Sequence, residues 1–179
     1  IGVFCGVTAR NVCDYLDKIN NGNFSYTGID LFGEKKNSSI DEIEPIFLKD
    51  QKFSNPLKNL YYNFVKKENL NSLSSVQKFL KKYEKKVTLI KGDTNIVLKD
   101  IDLSKIDYVF IDGGHSYDTV TNDLNFLFKH SKTNKKIILC DDYGDKSRIE
   151  EVVRSIDDFV SLNKLQVNVI KDRFAEIIF

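Results

Sequence analysis

Short apolar runs alternate with amphipathic helical stripes along this chain, and that alternation constrains its fold more than any other feature. The runs are rich in β-branched and aromatic residues and mostly end in Gly or Asp, which predicts strands. Their near-continuous apolarity favours strands covered on both faces, as in a parallel sheet. Strand–helix alternation on this scale predicts a doubly wound α/β fold. The predicted strands are residues 1–4, 26–29, 87–90, 108–111, 137–140, 167–170 and 175–179.

Three predicted helices carry clear apolar stripes, each expected to face a sheet. Only four residues, KDRF at 171–174, separate the last two predicted strands. That connection is too short for a crossover helix, so we expect an antiparallel hairpin at the end of the sheet. The stripes are Val12, Tyr15, Leu16 and Ile19; Val120, Leu124, Leu127 and Phe128; and Ile149, Val152, Val153, Ile156 and Val160.

The segment 33–86 interrupts this rhythm, because it is far longer than a normal crossover. It holds both prolines, Pro45 and Pro56, and two predicted helices at about 56–67 and 72–84. A lid or acceptor-binding element, a dimer surface and a surface insertion without a function are all compatible with it. The chain of 179 residues otherwise suits a single domain, 1–179, that carries this helical insertion.

The composition is that of an ordinary globular protein, with 41% hydrophobic and 30% charged residues and a formal net charge of +1. This balance argues against nucleic acid or an anionic membrane as a partner. No apolar run approaches the roughly 20 residues of a membrane helix. The chain begins at Ile1, in what reads as the middle of a strand, so we expect the natural protein to start further upstream.

Three cysteines, Cys5, Cys13 and Cys140, lie at wide spacings within apolar patterns. Their spacing does not match a zinc site. An odd count in apolar surroundings predicts reduced, buried thiols and a cytoplasmic location.

Ligands of open α/β sheets bind beyond the carboxyl ends of the strands, so the residues that follow each predicted strand are candidates. The first strand ends in GVFCGVTAR, where Gly2 and Gly6 precede Thr8 and a helix start, which allows a close ligand approach or simply a tight turn. Asp30 ends the second strand and can accept hydrogen bonds from a ribose, or cap a turn. Asp93 follows the third strand, where its carboxylate could lie near the edge of a nucleotide base or could cap the N-terminus of a helix.

Carboxylates also follow the fourth and fifth predicted strands, at Asp112 and at Asp141 and Asp142. If these strands are neighbours, about 4.8 Å apart, the carboxylates converge. Clustered carboxylates repel unless a cation joins them, and oxygen ligands suit Mg²⁺, Ca²⁺ or Mn²⁺. Because consecutive strand residues face opposite ways, we expect only one of the paired acids to reach a metal directly. Helix capping by each acid is the alternative.

One of the two histidines, His115, follows a Gly-Gly pair and precedes Ser116, a good N-cap residue. It could deprotonate an acceptor hydroxyl, line a metal site, or simply close the loop. The other histidine, His130, lies late on a predicted helix beside lysines and is expected at the surface.

Five segments in order, GVFCGVTAR, YTGIDLF, LIKGDTN, VFIDGGHSYDTVTNDL and IILCDDY, resemble the class I S-adenosylmethionine-dependent methyltransferases. The likeness is strongest to a small bacterial group with an Ile-Asp-Gly-x-His-x-Tyr signature. It spans residues 1–179 apart from the insertion. The resemblance implies a Rossmann-like, seven-stranded and mostly parallel sheet whose last strand is antiparallel. The acid usually found two residues before the first glycine lies beyond Ile1, which puts binding of the cofactor's amino group in question.

The resemblance also implies roles for individual residues. Gly2, Gly6 and Thr8 would lie under adenosylmethionine, and Asp30 would bind its ribose. Asp93 would lie near its adenine, with Asp112 counted among the cofactor-binding residues as well. The group is similar to metal-dependent O-methyltransferases, in which the positions of Asp112, Asp141 and Asp142 hold Mg²⁺.

The leading hypothesis is therefore methyl transfer to a hydroxyl of a small molecule, with His115 and Asp112 as catalytic residues and a divalent ion assisting. Two alternatives stay open. A nicotinamide-dependent oxidoreductase would explain the glycine turn and Asp30, but it lacks GxGxxG and leaves the acids unexplained. A non-catalytic domain of the same fold would bind a partner and no cofactor.

Overall fold

The computed structural model describes residues 1–33, 55–66, 68–130 and 136–179. The chain divides into two compact units, one of Ile1–Gly2 with Thr94–Phe179 and one of Val3–Asp93, and each is described by itself. The helices are α1 (Val7–Ile19), α2 (Pro56–Leu60), α3 (Leu73–Phe79), α4 (Thr94–Val97), α5 (Tyr117–Lys129) and α6 (Glu150–Asn163). The strands are β1 (Tyr26–Asp30), β2 (Val87–Lys91), β3 (Tyr108–Ile111), β4 (Ile137–Cys140), β5 (Val167–Ile170) and β6 (Phe174–Ile178).

The unit that contains the C-terminus is built on a four-stranded sheet of order β3-β4-β6-β5. Strands β3 and β4 pair in parallel, with Ile111 opposite Cys140. Strand β6 is antiparallel to both of its neighbours, β4 and β5, which confirms the predicted hairpin. The short turn at 171–173 therefore returns the chain to the edge of the sheet where β3 and β4 end.

The core of this unit joins the sheet to helices α5 and α6, which also contact each other. The predicted stripes of both helices are confirmed: Val120, Leu124, Leu127, Val152 and Ile156 are all buried, at most 3% exposed. Burial of side chains of this size contributes about 1.5–3 kcal/mol each.

The unit Val3–Asp93 contains the parallel pair β1–β2, with Asp30 opposite Lys91. Its small core consists of Val3, Ala9, Phe32, Val76 and Leu80. The two helices predicted in the insertion are present in outline. Helix α2 continues as a π-helix at Tyr61–Lys66, and α3 is followed by a 3-10 turn at Lys81–Tyr83. The rest of the insertion, residues 34–54, lies outside the described residues.

The predicted strand at 1–4 is wrong, and so is the single seven-stranded doubly wound sheet. The described strands number six and lie in a two-stranded and a four-stranded sheet. Ile1 still bonds to β3, since its amine donates to the Phe110 carbonyl (2.7 Å) and its carbonyl accepts from the Asp112 amide (2.9 Å). Gly2 and Phe4 then adopt positive φ angles of 81° and 49°, which turn the chain before a strand can form.

The predicted contact face of α1 is also wrong. Val12, Tyr15 and Ile19 are 36%, 63% and 51% exposed, whereas Ala9 and Cys13 are buried. The helix therefore packs through its small side chains, which permit close approach, and the large apolar stripe points outward.

None of the described helices is both long enough and apolar enough to cross a membrane.

Candidate functional site

Asp112 lies directly after β3, and Asp141 and Asp142 lie directly after β4. The parallel register that places Ile111 opposite Cys140 brings these three acids to one edge of the sheet, as predicted. The backbone is tightly packed there, because a Cβ atom on Gly2 would lie 1.9 Å from the Asp112 carbonyl oxygen. Only glycine fits that position, so Gly2 supports Asp112 from within the same unit.

The structure brings together Asp112, His115 and Asp142, one potential ligand atom of each lying within 4.8 Å of the others. His115 Nε2 lies 3.1 Å from Asp142 Oδ2. Asp142 has a left-handed backbone with φ of 61°, which is uncommon for a residue other than glycine. The Asp142 side chain is 17% exposed and that of His115 is 52% exposed. The group is thus partly open to solvent and to small molecules.

The electrostatics of this group favour a positive charge. Burial raises the pKa of the Asp112 carboxyl to about 6, and the carboxylates of Asp141 and Asp142 push it in the same direction. His115 and Arg173 act in the opposite sense. A carboxyl group with such neighbours binds a proton or a cation more readily than an isolated aspartate does.

Asp141 has a different partner from the one predicted. Its carboxylate accepts two hydrogen bonds from Arg173, from Nε to Oδ1 (2.6 Å) and from Nη2 to Oδ2 (2.5 Å). Its side chain is only 4% exposed. The three-residue group therefore contains His115 in place of Asp141, and of the paired acids only Asp142 belongs to it.

The two histidines differ in their surroundings. His115 lies in the loop before α5, whose N-cap Ser116 accepts a hydrogen bond from the Thr119 amide. His130 ends that helix, is exposed as predicted, and stacks on Phe126 with ring centroids 4.1 Å apart. Only His115 is therefore placed for chemistry with the acids.

Asp30 organises the glycine turn of the unit Val3–Asp93. Its Oδ2 accepts hydrogen bonds from the amides of Val3 (2.5 Å) and Phe4 (2.8 Å), and its Oδ1 accepts from Phe32 (2.6 Å). A carboxylate offers about four lone-pair sites. Three are used here, which leaves room for about one further donor, so the predicted ribose contact is restricted to a single hydrogen bond.

The other predicted cofactor residues of this unit lie near turns. Gly6 is the N-cap of α1 with φ of 78°, and Thr8 lies exposed in the first turn of that helix. Asp93 is half-buried and directly precedes α4. Their roles toward a cofactor stay predictions.

Cys13 and Cys140 are free thiols and buried, and Cys5 is half-buried. Burial raises the pKa of Cys13 to about 11 and that of Cys140 to about 12. These two thiols therefore do not act as nucleophiles near neutral pH.

The sequence interpretation missed Arg173, which lies in the turn between β5 and β6 and binds the carboxylate of Asp141. The available signal was indirect. An antiparallel last strand that inserts beside β4 must begin at the edge where β4 ends, and Cys140 indeed lies opposite Ala175. An arginine directly before that strand then falls next to the acid pair.

The profile of a protein family described as a methyltransferase domain matches residues 1–143. The chain belongs to this family. Among solved structures, the O-methyltransferase NovP resembles this methyltransferase domain with a TM-score of 0.61 and 14% identity, covering 98% of this chain and 68% of NovP. At that identity the likeness concerns the fold alone. No curated protein sequence gives a significant match.

A second structure, the methyltransferase PaMTH1 of Podospora anserina with bound SAH, matches at 18% identity and a TM-score of 0.42. The match covers 59% of this chain and 55% of that one. The family assignment confirms the expected methyltransferase class and argues against the alternative of a nicotinamide-dependent oxidoreductase.

Proposed function

We propose that this methyltransferase domain uses S-adenosylmethionine to methylate a hydroxyl group of a small molecule such as a sugar, a polyol or a natural product, with a divalent cation assisting. The observation that carries the proposal is the group of Asp112, His115 and Asp142, with ligand atoms within 4.8 Å of one another. Nucleic acid and membranes are not the proposed partners. The segment 33–86 as a lid or a homodimer surface remains a hypothesis.

The residues of the group fit a divalent cation. The carboxylates of Asp112 and Asp142 are the oxygen ligands that Mg²⁺ or Mn²⁺ prefers, and the imidazole of His115 lies beside them. Burial and the negative charges of Asp141 and Asp142 raise the pKa of Asp112, and a bound cation would oppose both effects. When bound, a divalent ion would supply positive charge that lowers the pKa of an acceptor hydroxyl.

His115 is the proposed proton acceptor. Its ring is half-exposed, and Asp142 lies 3.1 Å from Nε2, so the carboxylate orients the ring. Because the sulfonium methyl group is already activated, the remaining task of the protein is to align the acceptor with the methyl group and exclude water.

The cofactor proposal depends on the family and on the glycine turn. Asp30 holds the amides of Val3 and Phe4 in place and keeps about one lone-pair site for a ribose hydroxyl. Gly6 is the buried N-cap of α1, and the first N–H groups of that helix favour polar ligands. Asp93 toward the adenine, and Gly2 and Thr8 under the cofactor, complete the proposed set.

Transfer of label from S-[methyl-³H]adenosylmethionine to a panel of catechols, sugars and polyols tests this function. We expect activity that requires Mg²⁺ or Mn²⁺, that EDTA abolishes, and that falls at least about 100-fold in Asp112→Asn and Asp142→Asn. The exposed Asp118→Asn is the matched control and should keep wild-type activity. Full activity of both variants in EDTA would exclude the metal role, and failure of the wild type to bind adenosylhomocysteine would favour the non-catalytic alternative.

A further inference from the structure

Arg173 is tied to the loop after β4 through its side chain. Its guanidinium donates from Nε and Nη2 to both oxygens of Asp141, in a two-point contact. The carboxylate is 4% exposed, so it needs this compensating charge. The Asp142 amide in turn donates to Asp141 Oδ1 at 2.8 Å, which links the salt bridge to the next residue.

The main chain of Arg173 holds the same loop on the other side of Asp142. Its carbonyl oxygen accepts hydrogen bonds from the amides of Tyr143 (3.0 Å) and Gly144 (2.9 Å). A Cβ atom on Gly144 would lie 2.1 Å from the carbonyl carbon of Asp172, so loop and hairpin turn are in direct backbone contact. One residue therefore fixes the positions immediately before and after Asp142.

The conformation of Asp142 needs such support. Its φ of 61° is in the left-handed region, which aspartate adopts more readily than most residues other than glycine but which still costs free energy that the surroundings must offset. With that backbone, the Asp142 carboxylate turns to His115 while the Asp141 carboxylate turns to Arg173. The two neighbouring acids therefore have different roles. Asp142 belongs to the three-residue group, and Asp141 anchors the loop to Arg173.

We propose that Arg173 is a positioning residue that holds the loop after β4 so that Asp142 faces Asp112 and His115, and that keeps Asp141 out of the cation-binding group. This inference rests on the proposed function of that group for its catalytic meaning. The placement of the loop itself is independent of that function and can be measured without a metal.

The first measurement is amide hydrogen–deuterium exchange of the metal-free protein. Arg173→Gln should exchange faster at residues 140–145, because the Asp142 amide loses a fixed acceptor. The matched control is Lys146→Gln, which removes an exposed ion pair to Asp172 (3.4 Å) between the same two loops. It should leave exchange unchanged. Circular dichroism and the melting temperature would establish that each variant folds.

The second measurement is Mn²⁺ binding by calorimetry, without substrate. We expect Arg173→Gln to weaken Mn²⁺ binding by about 10- to 100-fold, as loss of groups that orient metal ligands does. Lys146→Gln should stay within about twofold. Arg173→Lys keeps the charge but loses the two-point contact, so it should lie between wild type and Arg173→Gln.

Wild-type exchange and wild-type Mn²⁺ affinity in a folded Arg173→Gln protein would overturn the positioning role. If Arg173→Gln does not fold, the same two measurements are made on Arg173→Lys. Wild-type exchange and wild-type Mn²⁺ affinity in that variant would then overturn the positioning role. A wild-type protein whose Mn²⁺ binding does not exceed that of Asp142→Asn would instead contradict the metal part of the proposed function. In that case the exchange experiment alone decides whether Arg173 positions the loop.

Discussion

The Nε2 atom of His115 lies 3.1 Å from the Oδ2 atom of Asp142, a contact that joins the loop after β3 to the loop after β4. Asp112 completes the group from the end of β3. Two carboxylates and an imidazole in this arrangement can take up a cation, or can orient a base for proton transfer. The pH behaviour of the group is the property most easily measured.

Asp112 should make the folded protein less stable as the pH rises from about 4 to about 6. Its folded pKa of about 6, raised first by burial and then by the neighbouring carboxylates, lies above the ordinary value of 3.8. The folded state therefore binds this proton more tightly than the unfolded state, and that advantage is lost as the pH passes through 6. In EDTA, the melting temperature of Asp112→Asn should fall less steeply over this pH range than that of the wild type. Asp118→Asn removes an exposed charge of the same sign and should keep the wild-type slope. Equal slopes in all three proteins would contradict the raised pKa.

Gly2→Ala should destabilise the protein by about 3 kcal/mol. A left-handed alanine costs about 1–2 kcal/mol, and the new Cβ would also lie 1.9 Å from the Asp112 carbonyl oxygen. Gly22 is a matched control, since its φ is 78° but its nearest neighbour is the flexible end of Lys86 at 3.0 Å. We expect Gly22→Ala to cost only the left-handed strain, and urea unfolding would measure both. Equal losses would show that the close packing at Asp112 is not what requires glycine.

Lys136→Met should cost about 2–4 kcal/mol of unfolding free energy. The side chain is fully buried, and Nζ donates to the carbonyls of Leu103 and Ile106, each at 2.6 Å. Methionine keeps the volume but leaves two carbonyl groups without this donor, at about 1–3 kcal/mol each. The exposed Lys99→Met serves as the control and should change stability by less than about 0.5 kcal/mol. A fully stable Lys136→Met protein would mean that these carbonyls find other donors.

Asp30→Ala should lower both stability and cofactor affinity. The change removes the acceptor of three amides, those of Val3, Phe4 and Phe32. We expect a loss of about 1–3 kcal/mol in unfolding free energy and at least about tenfold weaker binding of adenosylhomocysteine. Asp102→Ala, which removes an exposed aspartate that accepts from the Ser104 amide, should leave that binding unchanged. If Asp30→Ala binds as the wild type does, neither the turn nor the ribose contact depends on this carboxylate.

The strands could be predicted from local sequence patterns. The proximity of the acids could be predicted from the expected pairing of neighbouring strands. Six of the seven predicted strands are present at or within one residue of their predicted bounds, and the hairpin followed from a connection of four residues. Parallel pairing of β3 with β4 then necessarily brings Asp112 near the acid pair. His115 could be placed only approximately, because its position depends on the Gly-Gly turn.

The remaining features depend on contacts that one sequence does not reveal. The partner of Asp141 required knowing that β6 lies between β4 and β5, which brings Arg173 to the site. The apolar stripe of α1 is stronger than the Ala9–Cys13 face, yet the small side chains are the buried ones. Gly2 turns the chain after a single residue of strand-like bonding, so the apolar run at 1–4 did not become a strand.

Calorimetric titration of the wild-type protein with adenosylhomocysteine, and separately with NAD, tests the central claim most directly. A methyltransferase of the proposed kind should bind adenosylhomocysteine with one site and micromolar affinity, about −8 kcal/mol, and should not bind NAD. Binding should weaken in Asp30→Ala and persist in Asp102→Ala. Absence of adenosylhomocysteine binding by the folded protein, or binding of NAD in its place, would contradict the account.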